Sequence, residues 1–309
     1  MAKIQARNVD DTLYELIQQS AMKNERTLEG EIRYALSDYY RPVTPENGAP
    51  ALSLRERWQR ETGARLQWLF DRLISDNWLQ SNIRRSKADI FSIVRLARWL
   101  DEPSPARLLE CVSGEQELSF GLADRIAREF NTSVDWLISD EGEPFPVRRI
   151  GNGYRDFFMQ DGQPDDGLVF EMIRIEGGRH DGTLLCLRYS PESPRNIELG
   201  VVTEQFKLAA GMGGTGHANL KAFLMFLKSD GEKLAINAFN WTPDKGMEDF
   251  DFWSVFGQHH PVYFQNTGRR TSARWLQQVL NGEDPGGWFE GWTSSLDEIR
   301  NTGNQASTE

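Results

Sequence analysis

The chain has 309 residues, of which 39% are hydrophobic and 11% aromatic, so it can form two or three folded domains. Its formal net charge of −11 excludes non-specific coating of nucleic acid, which requires a basic field. The two cysteines, Cys111 and Cys186, match neither a disulfide framework nor a zinc spacing. Neither a signal peptide nor a run of about 18 apolar residues is found, so we expect a cytoplasmic protein with no membrane segment.

The acidic excess lies mostly in the C-terminal half. Residues 1–50 have a net charge of −2, residues 51–150 of −1 and residues 151–309 of −8. Within residues 81–113 the sign reverses, because six basic residues stand against four acidic ones. A local basic region of this kind can contact DNA even in an acidic protein.

Two segments rich in Pro and Gly, residues 41–52 and 143–153, are typical of linkers. They divide the chain into three predicted units, residues 1–41, 53–145 and 154–300.

The first unit is predicted to contain one strand and two helices. Residues 2–8 alternate in polarity, and the outward row of this strand is Lys3, Gln5 and Arg7. A helix is predicted over 11–23 behind the N-cap Asp10, and Thr27 is predicted to cap a second helix. A lone strand and two short helices bury too little surface to fold alone, so we expect a twofold dimer with paired strands. The outward row then fits a major groove.

The motif Thr27-Leu28-Glu29-Gly30-Glu31-Ile32-Arg33, behind a short basic strand, resembles the antitoxin-like branch of the ribbon-helix-helix family. This resemblance implies that the outward strand residues read bases, and that the backbone amides of Thr27 and Leu28 bind a phosphate. Gly30 departs from the family pattern, and a glycine inside a helix weakens the helix slightly. The acidic balance of residues 1–50 keeps an alternative open, a dimerisation arm that does not touch DNA.

The second unit is predicted to be helical. Helices are predicted over 53–78, 88–100, 105–112, 120–130 and 134–138. The second of them is predicted to turn Ile90, Ile93, Ala97 and Leu100 inward. Ser104 is predicted to cap the third helix, with Pro105 at its first position and Gly114 at its C-cap.

Residues 96–146 resemble the Cro/repressor-type helix-turn-helix family. The elements that carry the resemblance are Leu96-Ala97, Ser104-Pro105, Ser113-Gly114-Glu115 and Val134-Asp135-Trp136-Leu137. The resemblance implies that the helix beginning near Ser104 enters a major groove and offers Ser104, Arg107 and Ser113 to DNA. Just upstream, the basic side chains of Arg84, Arg85 and Lys87 can contact the DNA backbone.

Two residues depart from this family pattern. Ile93 stands near the position where the family has a phosphate-binding Gln, and Glu110 places a carboxylate in the predicted recognition helix. Glutamate can still accept a hydrogen bond from cytosine. A helix-turn-helix kept only for packing or dimerisation is the alternative.

The third unit is predicted to be α+β. Strands are predicted over 168–175, 184–189, 198–210 and 233–239 and within 252–264, and helices around Leu220–Leu227 and over 271–280. The glycine-rich loop 211–216 lacks the Lys and Ser/Thr of a P-loop. His259 and His260 are adjacent and so point to opposite faces of an extended segment, which disfavours a shared metal. We expect no cofactor, no metal and no enzymatic activity.

Together these features predict a multidomain protein with a ribbon-helix-helix, then an all-α helix-turn-helix, then an α+β domain. We expect a sequence-specific regulator of transcription that binds double-stranded DNA as a homodimer or higher homo-oligomer. The C-terminal unit is expected to bind a protein partner or a small ligand, or to support oligomerisation. The alternatives are an antitoxin that grips a toxin, which the size of the third unit disfavours, and a DNA-organising protein for plasmid partition.

Overall fold

The structure is a computed structural model that describes residues 9–24, 26–39, 52–80, 87–151, 153–202, 205–243, 255–266 and 268–303. It divides into two compact units, with the division between Ser53 and Leu54. The predicted strand over 2–8 and most of the linker predicted at 41–52 lie outside the described residues.

The first unit contains the helices α1 (Asp11–Lys23) and α2 (Leu28–Tyr39). The start of each helix is capped by the predicted side chain. Asp10 Oδ1 accepts a hydrogen bond from the Leu13 amide at 3.2 Å, and Thr27 Oγ1 accepts one from the Gly30 amide at 3.1 Å. Each cap satisfies an N–H that the helix itself leaves free, and stabilises the helix by about 1 kcal/mol.

The second unit begins with five helices: α3 (Leu54–Ser75), α4 (Ile90–Trp99), α5 (Ala106–Ser113), α6 (Phe120–Phe130) and α7 (Val134–Ser139). All five lie where helices were predicted, and the bounds of α6 agree with the prediction. The C-cap of α5 is Gly114 with φ +73°, as predicted. Ser104 does not cap α5 as predicted, because the N-cap is Pro105 and the Ser104 hydroxyl accepts only a 3.4 Å hydrogen bond from the Ala106 amide.

The rest of this unit contains a six-stranded sheet, a two-stranded hairpin and further helices. The sheet strands are β1 (Val147–Arg149), β4 (Val169–Ile175), β5 (Leu184–Tyr189), β6 (Glu198–Val202), β7 (Ala235–Trp241) and β8 (Arg270–Ser272), in the order β1-β6-β5-β4-β7-β8. The pairs β1–β6 and β4–β7 are parallel and the other pairs are antiparallel. The hairpin strands are β2 (Met159–Gln160) and β3 (Gln163–Pro164), and the helices are α8 (Tyr154–Phe158), α9 (Gly214–Lys228), α10 (Trp275–Leu280) and α11 (Thr293–Asn301).

Helices pack on both faces of the sheet. Successive residues of a strand point to opposite faces, so alternate side chains of β5 contact different helices. On β5, Leu185 and Leu187 pack in the same core as α3–α7, whereas Leu184 and Cys186 pack with α8–α11. The segments predicted as separate domains, 53–145 and 154–300, therefore share one core within one compact unit. The turn-rich residues 143–153 are a connection inside this unit, since they contain the edge strand β1.

Three predicted elements of the C-terminal half are wrong. Residues 262–264 form part of a 3₁₀ helix (Pro261–Gln265) instead of a strand, because Pro261 begins a helical turn and His260 Nδ1 accepts a hydrogen bond from the Val262 amide at 3.1 Å. The strand predicted over 198–210 ends at Val202. The helix predicted over 271–280 begins only at Trp275, because Arg270–Ser272 pair with β7.

Candidate nucleic-acid interface

The predicted DNA-contacting residues fall into two groups. Lys3, Gln5, Arg7, Arg84 and Arg85 lie outside the described residues. The structure describes Thr27, Leu28, Lys87, Ser104, Arg107 and Ser113, of which the first two belong to the first unit and the other four to the second.

A buried carboxylate joins α1 to α2. Glu31 accepts hydrogen bonds from the Ser20 hydroxyl at 2.7 Å, from Asn24 Nδ2 at 3.0 Å and from Arg26 Nη1 at 3.1 Å. The bond from Ser20, assisted by those from Arg26 and Asn24, lowers the pKa of Glu31 against the opposing effect of burial. The relative position of the two helices therefore depends on an ionised Glu31.

We predict that the helices of the first unit loosen in acid. A carboxyl whose pKa is lowered on folding stabilises the fold above its unfolded pKa, and this contribution disappears as the pH falls through the folded pKa. Amide hydrogen exchange in α1 and α2, corrected for its intrinsic pH dependence, should quicken on acidification. Glu31→Gln should exchange faster at neutral pH and show a weaker pH dependence; an unaltered pH dependence in this variant would contradict the assignment.

The N-terminus of α2 offers free backbone donors. Thr27 Oγ1 is occupied by the Gly30 amide, whereas the N–H groups of Thr27, Leu28 and Glu29 have no acceptor in the part of the chain that the structure describes. These amides carry the partial positive charge of a helix N-terminus, which attracts anions. The Glu29 carboxylate in the same turn forms an ion pair with Arg33 at 2.5 Å.

The α1–α2 pair leaves most of its large apolar side chains in solvent. Only Ala21 is a buried apolar residue among the described residues of this unit. The exposed ones are Val9, Leu13, Tyr14, Leu16, Met22, Ile32, Tyr34 and Leu36. A cluster of exposed apolar residues on so short a segment is typical of a surface that another polypeptide covers.

In the second unit, α5 lies directly against α3. An added Cβ at Gly63 of α3 would lie 2.7 Å from the Cys111 carbonyl oxygen and 2.8 Å from that of Val112. An added Cβ at Gly114, just beyond α5, would lie 3.0 Å from Cα of Arg60. Two glycines therefore allow the backbones of the predicted recognition helix and of α3 to approach closely.

The outward face of α5 carries few donors for DNA. Arg107 is half-buried, and its Nη2 donates a 2.6 Å hydrogen bond to the hydroxyl of Ser119, the N-cap of α6. Ser113 is exposed and donates its hydroxyl hydrogen to the carbonyl oxygen of Glu110 at 3.1 Å. The exposed side chain of Glu110 is a carboxylate, which repels phosphate.

Basic residues that the sequence analysis did not select lie beside this helix. Arg57 and Arg60 are exposed on α3, and neither forms an ion pair within the described ranges. Gly114 contacts Arg60, so this arginine lies next to the C-terminus of α5. Lys87, which the sequence analysis did select, is exposed as well, just before α4. The signal in the sequence was the run of arginines in α3, but only the packing of α3 on α5 relates it to the recognition helix.

One predicted core residue of α4 faces solvent. Ile93, Ala97 and Leu100 are buried as predicted, but Ile90 is 58% exposed. It lies on the first turn, where Phe91 is also exposed, and Leu96 contributes to the core instead. The prediction for Ile90 was wrong because the helix begins at this residue and none of the described elements covers its first turn.

The adjacent histidines His259 and His260 have structural partners. His259 Nδ1 lies 2.7 Å from Oδ1 of the buried Asp76, and the His260 amide donates to Asp76 Oδ2 at 2.9 Å. Complete burial lowers the pKa of His260 to about 3, so this side chain is neutral. No group of His, Cys, Asp and Glu suited to a metal ion occurs among the described residues.

Comparison of the chain with protein-family models, with curated proteins and with solved structures finds no match. Within the described ranges, each helix is too short or too polar to cross a bilayer.

Proposed function

We propose that this chain is a sequence-specific DNA-binding regulator that dimerises through residues 1–41. The observation that carries the proposal is the exposed apolar surface of α1 and α2, in which Ala21 is the only buried apolar side chain among the described residues of this unit. A second copy is the occupant that best fits this surface, because the strand predicted over residues 2–8 would require a partner strand.

The DNA contacts of the first unit are proposed to come from two places. The outward row Lys3, Gln5 and Arg7 supplies donors for base edges once two strands pair. The free amides of Thr27 and Leu28 bind a phosphate and set the position of the ribbon on the duplex. Base reading and phosphate binding then come from adjacent segments of one small dimer.

The helix-turn-helix segment is proposed to add backbone contacts instead of base readout. Arg57, Arg60 and Lys87 are exposed cations on or near this segment, whereas Arg107 is held by Ser119. Phosphate contacts of this kind add affinity without sequence information.

The test begins with selection of bound duplexes from a random library by the full chain. The triple variant Lys3→Ala, Gln5→Ala, Arg7→Ala should lose at least about hundredfold in affinity for the selected sequence, because each dimer loses six side chains from its base-reading row. Sedimentation should show that the variant is still a dimer.

The matched control is the double variant Lys23→Ala, Arg128→Ala. It also removes two positive charges per chain, but from exposed positions outside the proposed interface. It should bind the selected sequence nearly as well as the natural chain. Equal losses in both variants would show general electrostatic attraction, and failure to select any duplex would leave residues 1–41 as a dimerisation arm. Either result overturns the proposal.

A further inference from the structure

A cleft with a volume of 490 Å³ lies in the C-terminal half of the second unit. Its walls come from the end of β4, from β7, from the start of α10 and from the loop before α11. The lining residues used below are Arg174, Glu176, Asp181, Asn240, Arg274, Gly286 and Trp288. A volume of this size is typical of pockets for small molecules.

The floor of the cleft contains a rigidly held guanidinium. Arg174 is 3% exposed; its Nε donates to the Leu208 carbonyl at 2.8 Å, and its Nη2 contacts both carboxylate oxygens of Asp181 at 2.9 and 3.1 Å. Nη1 has no acceptor among the residues that the structure describes. Because Arg174 lines the cleft, this remaining guanidinium donor is available to a molecule that binds there.

An indole covers this guanidinium, and hydrogen bonds to Asp284 hold the loop that carries it. The Arg174 guanidinium carbon lies 4.2 Å from the centroid of Trp288, and the two carboxylate oxygens of Asp284 accept hydrogen bonds from the Trp288 amide at 2.8 Å and the Phe289 amide at 2.9 Å. A Cβ on Gly286 would lie 2.6 Å from Nε1 of Trp288, so only glycine lets the ring lie over the loop. Trp288 thus supplies a fixed apolar wall.

At the rim of the cleft, one positive and one negative side chain have no ion-pair partner among the described residues. Arg274 and Glu176 are both exposed, both line the cleft, and neither forms an ion pair. The Oδ1 atom of Asn240 beside them is buried and accepts no hydrogen bond. The cleft therefore offers cationic donors to an anion and an anionic acceptor to a cation, next to an apolar ring.

We propose that this cleft binds a free α-amino acid, whose carboxylate meets Arg174 Nη1 and Arg274, whose ammonium group meets Glu176, and whose side chain packs on Trp288. Charge-assisted hydrogen bonds at both ends distinguish such a zwitterion from a simple acid or amine. No residue of the cleft belongs to the proposed DNA interface, so this proposal stands whether or not the chain binds DNA.

The test is titration calorimetry of the full-length protein with each of the twenty amino acids. Propionate and propylamine are the matched probes that lack one of the two charges. At least one amino acid should bind saturably, and both single-charge probes should bind at least about tenfold more weakly, because each loses its charged hydrogen bonds.

Substitution of two exposed residues of the cleft tests whether the amino acid binds there. Arg274→Gln and Glu176→Gln should each lower the affinity for the amino acid by at least about tenfold. The matched controls Arg128→Gln and Glu129→Gln, on the exposed side of α6, should leave the affinity unchanged. The proposal is overturned if no amino acid binds, if propionate binds as tightly as the amino acid, or if binding persists in both cleft variants.

Discussion

Gly63→Ala should destabilise the second unit by about 1–3 kcal/mol in equilibrium urea unfolding of the full chain. Three backbone atoms surround the position of the added methyl group: the carbonyl oxygens of Cys111 and Val112 at 2.7 and 2.8 Å, and the Gly114 amide nitrogen at 3.0 Å. Backbone atoms of a packed helix cannot move aside as the end of a flexible side chain can. Because the atoms belong to α5 and its C-cap, the cost arises from displacement of the predicted recognition helix.

Gly121→Ala is the matched control. Gly121 lies in the first turn of α6, is exposed, and an added Cβ would meet nothing within 4 Å. Alanine is favoured over glycine in helices by about 0.5–1 kcal/mol, so this variant should be slightly more stable than the natural chain. The same substitution should therefore have opposite signs at the two sites. Equal effects at both would contradict the close approach of α3 and α5.

Local signals in the sequence were sufficient to predict the helices α1–α7. Asp10 before α1 and Gly114 after α5 are capping residues whose effect acts within one turn, and the structure contains both predicted caps. Strands that depend on long-range pairing were harder to predict. The three residues of β8 are extended only because they pair with β7, which lies some thirty residues earlier in the chain.

The candidate interface was predictable to a smaller extent. The sequence placed Arg107 in the predicted recognition helix but did not indicate that Ser119 accepts its Nη2 hydrogen bond. Nor did it relate Arg60 to Gly114, because that contact depends on the packing of two helices some fifty residues apart. Both contacts bring together residues that are distant along the chain, and helical periodicity carries no information on them.

The sharpest test of the first unit is Leu16→Asp. Leu16 is 58% exposed in the single chain, and a substitution at such a position normally changes stability by less than about 0.5 kcal/mol. If a second copy covers this surface, Leu16 of each copy contributes about 1.5–3 kcal/mol to the free energy of dimerisation. In the variant, the two aspartate carboxylates would be buried in the dimer without partners. We therefore expect sedimentation to show a monomer for Leu16→Asp at concentrations where the natural chain is a dimer.

The control for this variant is Gln18→Asp, which adds the same charge to an exposed polar position of the same helix. It should remain dimeric, because its side chain lies two residues from Leu16 and so on another face of α1. A natural chain that is itself monomeric, or a Leu16→Asp variant that dimerises like the control, contradicts dimerisation through this surface. Loss of specific DNA binding together with the dimer is expected as well, because the proposed ribbon of two paired strands requires two copies.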